Sequence, residues 1–343
     1  MIYAPILIPT LCRAEHFIRC IESLKKNSWA KYTDVFIGLD YPPSEKYFDG
    51  YYKIKEYLSS DFSCFNSFQV FEHKQNVGSS GNMRFLRKCT ENYPYFIRTD
   101  DDAEFSPNFL EYMNKVLWHY LDDPTVLGVT GYSYPIRWKV KKGCSTFKMN
   151  YLCPMWGTAF YTERFNVVRN TILESYYEKN FDKMLSNHRY KNLTIARYLD
   201  FINGGGLSKD KNSLVKRATD IGFATFMPLD GNFCIISPIS SKVRNYGFDG
   251  SGEYCQNTND IKKRKITAQN YDYSHQPIDN TTSFDLVPDD SIDYEINRKI
   301  LDRFDTRSCA SVLKTNIKLG LYKMLGRDKY FSLIHLIKDR KHE

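Results

Sequence analysis

Within the first hundred or so residues, four short apolar runs each stop on a polar or acidic residue and hand over to a stretch of helical spacing. The runs are Ile6-Leu7-Ile8, Asp34 to Asp40, Ser67 to Glu72 and the one from Tyr95 that ends at the aspartate triplet. Between them, Phe17, Ile21 and Leu24 share one helical face from a start near Ala14 or Glu15. Tyr47, Tyr51, Ile54 and Leu58 do the same after Pro42-Pro43-Ser44, and Met83, Leu86 and Arg87 mark a third helix. Such alternation predicts an α/β fold, a parallel sheet with helices on both faces. Open sheets of this kind bind ligands beyond the carboxyl ends of their strands. Thr10, Asp40, the segment Asn76 to Asn82 and Asp100 to Asp102 all fall at that edge.

The fourth run leads directly into Asp100-Asp101-Asp102. Three adjacent carboxylates repel one another, and a divalent cation removes that penalty, since hard oxygen ligands suit Mg²⁺ or Mn²⁺. A solvated acidic turn before a helix capped by Ser106, with Pro107 in its first turn, is the plainer alternative. Asn76 to Asn82 is rich in Gly and Ser but lacks the G-K-[ST] ending of a phosphate loop, and it lacks G-x-G-x-x-G. It reads either as an ordinary strand-to-helix turn or as one that lets a base or ribose approach closely. Asp40 either caps its own turn or accepts hydrogen bonds from a nucleoside. Arg84 and Arg98 are candidates to neutralise phosphate or to form surface ion pairs. Trp156 beside Gly157 is either core or a flat platform for a sugar.

Farther along, Thr125 to Gly131 reads as a strand, Arg137 to Lys148 as a basic surface loop, and Thr162 opens a helix carrying Phe165, Val168 and Ile172. Residues 176–215 are polar and irregular, with Gly204-Gly205-Gly206 as a joint. A helix-like stretch follows Asp220, then a strand over Phe233 to Pro238. Asn245 to Gly252 reads as irregular, and 279–293 as a loosely packed linker.

Hydrophobic content of 42% and charged content of 26% are those of a soluble globular chain. The nine cysteines include no C-x-x-C pair, so neither a zinc site nor a disulfide framework is indicated. No H-E-x-x-H and no G-x-S-x-G is present. The formal charge of +8 is concentrated at the end of the chain, where residues 298–343 hold twelve Lys/Arg against five Asp/Glu. A nucleic-acid partner is therefore not expected. No signal peptide and no apolar run near the ~20 residues of a membrane span are visible.

Taken together, Pro9-Thr10, Asp40, Asn76-x-Gly78, Asp100-x-Asp102 and Trp156-Gly157 resemble the motifs of nucleotide-sugar glycosyltransferases of the GT-A fold. Within these the chain looks like the family 2 group that builds bacterial surface polysaccharides. Asn245-Tyr246-Gly247-Phe248-Asp249-Gly250-Ser251-Gly252 is similar to a segment of one bacterial branch. The resemblance covers about residues 2–255. It implies a Rossmann-like mixed sheet flanked by helices, ending in a basic helical tail. Three regions follow: a nucleotide-sugar-binding half over 1–132, an acceptor-binding and catalytic half over 133–278, and a linker with amphipathic helices over 279–343.

The implied roles are these. Pro9, Thr10, Asp40, Asn76, Gly78, Asn82, Arg84, Asp100 and Asp101 bind the nucleoside-diphosphate sugar, and Asp102 with Asp100 holds Mn²⁺ or Mg²⁺. Trp156 and Gly157 lie beside donor sugar and acceptor. Asn245, Asp249 and Ser251 form a lid over the diphosphate. An inverting transferase also needs a carboxylate base. The family's spacing puts it at Asp220, with Asp200 as the alternative. The branch often has a histidine where this chain has Tyr254. A sugar nucleotidyltransferase would carry a glycine-rich loop in place of Pro9-Thr10-Leu11-Cys12-Arg13. A non-catalytic saccharide-binding protein on the same fold is the rival from another class.

In the tail, Ala310, Leu313, Ile317, Leu321 and Met324 share a helical face beside Lys314 and Lys318. The helix either packs on the domain or rests on an anionic membrane surface. The expected location is the cytoplasm or the inner face of the cell membrane, with a glycan or lipid-linked saccharide as acceptor.

Overall fold

The computed structural model describes residues 1–173, 180, 220–230, 233–251, 273–291, 294–304 and 309–339. The first half is the expected alternation: β1 (Ile6–Thr10), α1 (Ala14–Lys25), β2 (Asp34–Leu39), α2 (Phe48–Tyr57), β3 (Ser67–Glu72), α3 (Gly78–Cys89) and β4 (Tyr95–Arg98). All four strands are parallel, in the order β3-β2-β1-β4. The chain steps outward from β1 to β3, and α3 then carries it back to the other side of β1. That reversal opens a crevice between the ends of β1 and β4.

Next come β5 (Ala103–Phe105), α4 (Phe109–His119), β6 (Val126–Thr130), β7 (Thr146–Met149), β8 (Thr158–Tyr161), α5 (Thr162–Leu173), α6 (Asp220–Asp230), β9 (Cys234–Pro238), β10 (Val243–Asn245), β11 (Pro288–Asp289), α7 (Tyr294–Phe304) and α8 (Cys309–Asp339). The sheet has the order β11-β7-β9-β6-β8-β4-β1-β2-β3. It is mixed because β8 runs antiparallel to β4 and β6, and β7 antiparallel to β9. A separate antiparallel ribbon pairs β5 with β10.

Alternation along the strands sends Ile6, Ile8, Val35 and Ile37 to one face, where α1, α2 and α4 pack. Leu7, Phe36 and Phe96 face the other, under α3, α5 and α6. None of α1 to α4 has a capping hydrogen bond from its own N-cap side chain. A missing cap costs about 1 kcal/mol, whereas each fully buried Phe or Leu contributes about 1.5–3 kcal/mol. Burial of Phe17, Ile21 and Leu24 therefore decides that α1 is a helix.

Four expectations are corrected. The N-cap of α4 is Asn108, not Ser106, and Pro107 precedes the helix; the Asn108 amide is drawn away to Asp279, Thr281 and the Ser283 carbonyl. The basic stretch 137–148 is not simply a surface loop, since Trp138 is buried and Thr146 begins β7. Asn245 to Asp249 is partly regular, Asn245 closing β10 and Gly247–Asp249 forming a 3₁₀ turn. Residues 279–291 are not loosely packed: Phe284 is buried edge-on against Tyr112, and Pro288–Asp289 adds β11 to the sheet. Asp200, Gly204 to Gly206 and Tyr254 lie outside the described residues.

The tail forms α8, interrupted at Gly326, where φ is +71°. Tyr322 and Tyr330 are buried with the α3, α5 and α6 side chains, while Leu313, Ile317 and Met324 are exposed. Among the described residues no helix is long and apolar enough to cross a membrane.

Candidate active site

Beyond β2, Asp40 is buried and its carboxylate accepts four hydrogen bonds. Oδ1 takes the Tyr41 and Val77 amides, each at 2.9 Å, and Oδ2 takes the Gly78 amide at 2.8 Å and Asn76 Nδ2 at 3.2 Å. The first donors of α3 are thus answered from a neighbouring strand, which replaces the missing local cap. A carboxylate offers about four lone-pair positions, so this one is filled. Asn82, one turn into α3, donates to the Gly38 carbonyl at 2.7 Å and stands 3.2 Å from His73 Nε2. Asp40, Asn76, Gly78 and Asn82 therefore form one connected turn, and Asp40 holds it together. Arg84, farther along α3, is exposed.

Beyond β4 the arrangement differs. Thr10, at the end of β1, donates to Asp101 Oδ2 at 2.8 Å. Arg13 forms a fork, one nitrogen on Asp101 and Nη1 on Asp102 Oδ2 at 2.8 Å. Burial works against the Arg13 charge, but Asp101 and Asp102 outweigh it and hold the group above its ordinary pKa. Asn245 Nδ2 donates to Asp102 Oδ1 at 2.9 Å, and the Tyr246 amide to the Asp102 carbonyl at 2.8 Å. Asp100 differs from both neighbours: among the described residues its carboxylate has no hydrogen-bond partner. Burial and the like charge of Asp102 push it up to about 6. Asp101 is raised in the same direction by burial, against the pull of Arg13.

The segment after β10 closes over these carboxylates. A side chain at Gly247 would place Cβ 2.0 Å from Asp102 Oδ2, so only glycine lets the turn lie there. Asn245 Oδ1 accepts from the Gly247 amide, and Asp249 Oδ1 from the Ser251 amide, both at 2.8 Å. His16 Nε2 approaches Asp249 Oδ2 at 3.1 Å and the Tyr246 carbonyl at 3.3 Å. Arg19 stacks 4.0 Å over the Tyr246 ring, whose hydroxyl donates to Glu104.

Half-buried Trp156 packs against Tyr132 at 4.5 Å and Tyr273 at 6.1 Å, and Tyr273 meets Phe248 at 4.6 Å. An aromatic wall thus runs from Trp156 to the residue after Gly247. Gly157 has φ +61°, and a Cβ there would press Val243 of β10 at 2.6 Å. Asp220 is exposed at the first residue of α6, and among the described residues it makes no hydrogen bond to the acidic cluster.

Arg13, His16, Arg19 and Tyr273 carry this arrangement and are missed as site residues by sequence reasoning. The three basic residues recur every third position of the turn into α1, so they share one side of it. Their face points at the acidic triplet, and that pattern is the signal that finds them.

Among the described residues no three His, Cys, Asp or Glu side chains converge as a metal centre. Asp100 lies within the field of Asp102, and its carboxylate has no hydrogen-bond partner among the described residues. Mg²⁺ is commonly bound by one or two carboxylates, with water and substrate phosphates completing its shell. Asp100 and Asp102 fit that donor set.

No family model matches the chain, and no curated protein matches it. Among solved structures it is similar to residues 1–349 of S. aureus TarS in complex with UDP-GlcNAc, at 13% identity and a TM-score of 0.34, over 50% of this chain and 48% of that one. It is also similar to the mannosyltransferase PcManGT from Pyrobaculum calidifontis in complex with GDP-Man and Mn²⁺, at 14% identity and a TM-score of 0.32, over 47% and 45% of the two chains. Against a longer TarS structure the chain covers 30% of that protein. Likeness at this level identifies no family.

Proposed function

We propose that the chain is a glycosyltransferase that takes a sugar from a nucleoside-diphosphate sugar and passes it, with inversion, to a hydroxyl of a glycan or lipid-linked saccharide. The observation that carries this reading is Asp100: a partly buried carboxylate with no hydrogen-bond partner among the described residues, at the crevice beyond the ends of β1 and β4, beside two carboxylates already tied to Arg13. Three carboxylates against the Arg13 and Arg98 charges leave excess negative charge at the carboxyl edge of an α/β sheet, which suits a divalent cation that arrives with its phosphate ligand.

In this reading Asp100 and Asp102 hold Mn²⁺ or Mg²⁺, which when bound supplies stabilisation of the departing diphosphate. Thr10 and Arg13 fix Asp101 and Asp102. Pro9 and the turn from Asn76 to Asn82, braced by Asp40, bound the nucleoside, while Arg84 approaches its phosphates. Half-buried Trp156, backed by Tyr273, offers a ring face to a sugar, Gly157 lets β10 pack close beside it, and Asn245, Asp249 and Ser251 shape the lid. The acceptor oxygen forms its bond to the anomeric carbon as the bond to the diphosphate breaks, and its proton passes to Asp220. Asp200 is the alternative base.

Incubation with a panel of nucleoside-diphosphate sugars and Mn²⁺ tests this by release of nucleoside diphosphate. Release from one donor class, lost in Asp102→Ala, is expected. Tight donor binding without release in the presence of glycan acceptors would favour a saccharide-binding protein instead. We further propose that exposed Leu313, Ile317 and Met324, beside Lys314 and Lys318, rest on an anionic membrane surface. Undiminished flotation with anionic vesicles after Lys314→Glu and Lys318→Glu would refute that contact.

A further inference from the structure

On the face of the sheet covered by α3, α5 and α6, guanidinium groups gather with few acceptors among the described residues, the exception being Arg169, whose Nη1 donates to Asn170 Oδ1 at 3.4 Å. Arg84 and Arg87 lie one turn apart on α3, and Arg169 stands on α5. Arg98 ends β4 two residues after Phe96, so strand alternation puts it on the same face. Arg87 Nη1 and Arg98 Nε are buried, and among the described residues they have no hydrogen-bond partner. The Arg87 guanidinium lies 4.9 Å over the Phe165 ring. Burial and the charges of Arg169, Arg98 and Arg84 pull Arg87 down to about 9. Arg169 is lowered as well, by burial and Arg84.

Other half-buried arginines of this fold are answered. Arg13 meets two aspartates, Arg164 donates to the Val126 and Leu121 carbonyls, and Arg244 meets Glu104 and the Gln276 carbonyl. Among the described residues, Asp100 is held lower by Arg98, and Asp220 and Arg98 both act on Cys153. Neither aspartate hydrogen-bonds to these arginines among the described residues. Packing alone would favour Leu or Met at positions 87 and 98, because a buried N–H without an acceptor loses its hydration for nothing. Guanidinium forks match the oxygens of phosphate.

We propose that Arg87 and Arg98, with Arg169 beside them and exposed Arg84 one turn away on α3, form a binding site for a phosphate-class oxyanion, whose oxygens accept from Arg87 Nη1 and Arg98 Nε. The site stands on its own geometry and does not depend on the transferase reading. Its phosphate comes either from the diphosphate of a nucleotide reaching inward past Asp100 or from a second phosphorylated molecule.

The test is melting of the full chain in inorganic phosphate or pyrophosphate, with chloride balancing ionic strength, for wild type, Arg87→Met, Arg98→Met and Arg84→Gln. At phosphate near 100 times its Kd, the wild-type unfolding constant falls about 100-fold. Arg87→Met and Arg98→Met lose that response, and without phosphate they melt no lower than wild type because an unanswered charge is gone. Arg84→Gln, on the surface, keeps the fold whatever happens in the core and weakens phosphate several-fold. Absence of a phosphate-specific shift in wild type overturns the proposal, as does an equal shift in every variant. Given a positive result, a nucleoside diphosphate with Mn²⁺ separates the sources: a nucleotide shift lost in Arg87→Met assigns the site to the donor, and one retained assigns it to another phosphorylated ligand.

Discussion

Asp40 and Asp100 occupy equivalent places, each just past the end of a parallel strand, and their surroundings are opposite. Asp40 accepts four hydrogen bonds and ties β2 to the start of α3. Asp100 sits beside two further carboxylates, finds no donor among the described residues, and is pushed up to about 6 by burial and Asp102. A satisfied buried carboxylate builds structure, while an unsatisfied one stores a demand for a cation. The residue type is the same in both; only the inventory of neighbouring donors separates scaffold from site.

The sharpest check of that contrast uses a third carboxylate. Asp279 pairs with Lys242, which is 2% exposed, and also accepts from Thr281 and Asn108. Burial opposes its charge, but Lys242 and the other donors outweigh burial and hold Asp279 well below the ordinary carboxylate range. Asp279→Asn leaves a buried ammonium unpaired and is expected to destabilise the fold by about 3–5 kcal/mol. Because the folded-state value lies below the unfolded one, this stabilisation is present above about pH 4 and is lost as pH falls through the folded value. Denaturant titrations from pH 7 to 3 should show the acid limb flattened in the variant. An unchanged limb would remove Asp279 from the scaffold group.

Asp40→Ala comes next, with an expected loss of about 3 kcal/mol as Val77 and Gly78 lose their acceptor. Asp100→Asn is the smallest effect and has the opposite sign. Removing a desolvated charge beside Asp102 should stabilise the chain by about 1 kcal/mol. Urea melts of the two variants decide the point: destabilisation of similar size in both would break the contrast on which the site assignment stands.

Much of this was legible in the sequence where the signal is local. The strand–helix alternation up to Arg98 is set by apolar period and by residues such as Phe17 and Ile54, and it appears at the expected places. What escaped depends on partners far apart along the chain. Asn108 cannot be recognised as an N-cap without residues 279–283 packed against it, and 279–291 reads as a linker until Phe284 meets Tyr112. Arg13 could be read only as the end of a turn, because its partners lie some ninety residues away. The arginine cluster was half visible: Arg84 and Arg98 stood out, but Arg87 looked like an ordinary helical residue. Its significance lies in the absence of an acceptor, which no sequence displays.

The most direct measurement is the melting temperature with each nucleoside diphosphate and its sugar derivatives, with and without Mn²⁺, for wild type, Asp100→Asn and Asp102→Ala. The account predicts a metal-dependent rise with one nucleotide class in wild type, lost in both variants. No rise with any nucleotide, or an equal rise in Asp102→Ala, would contradict it.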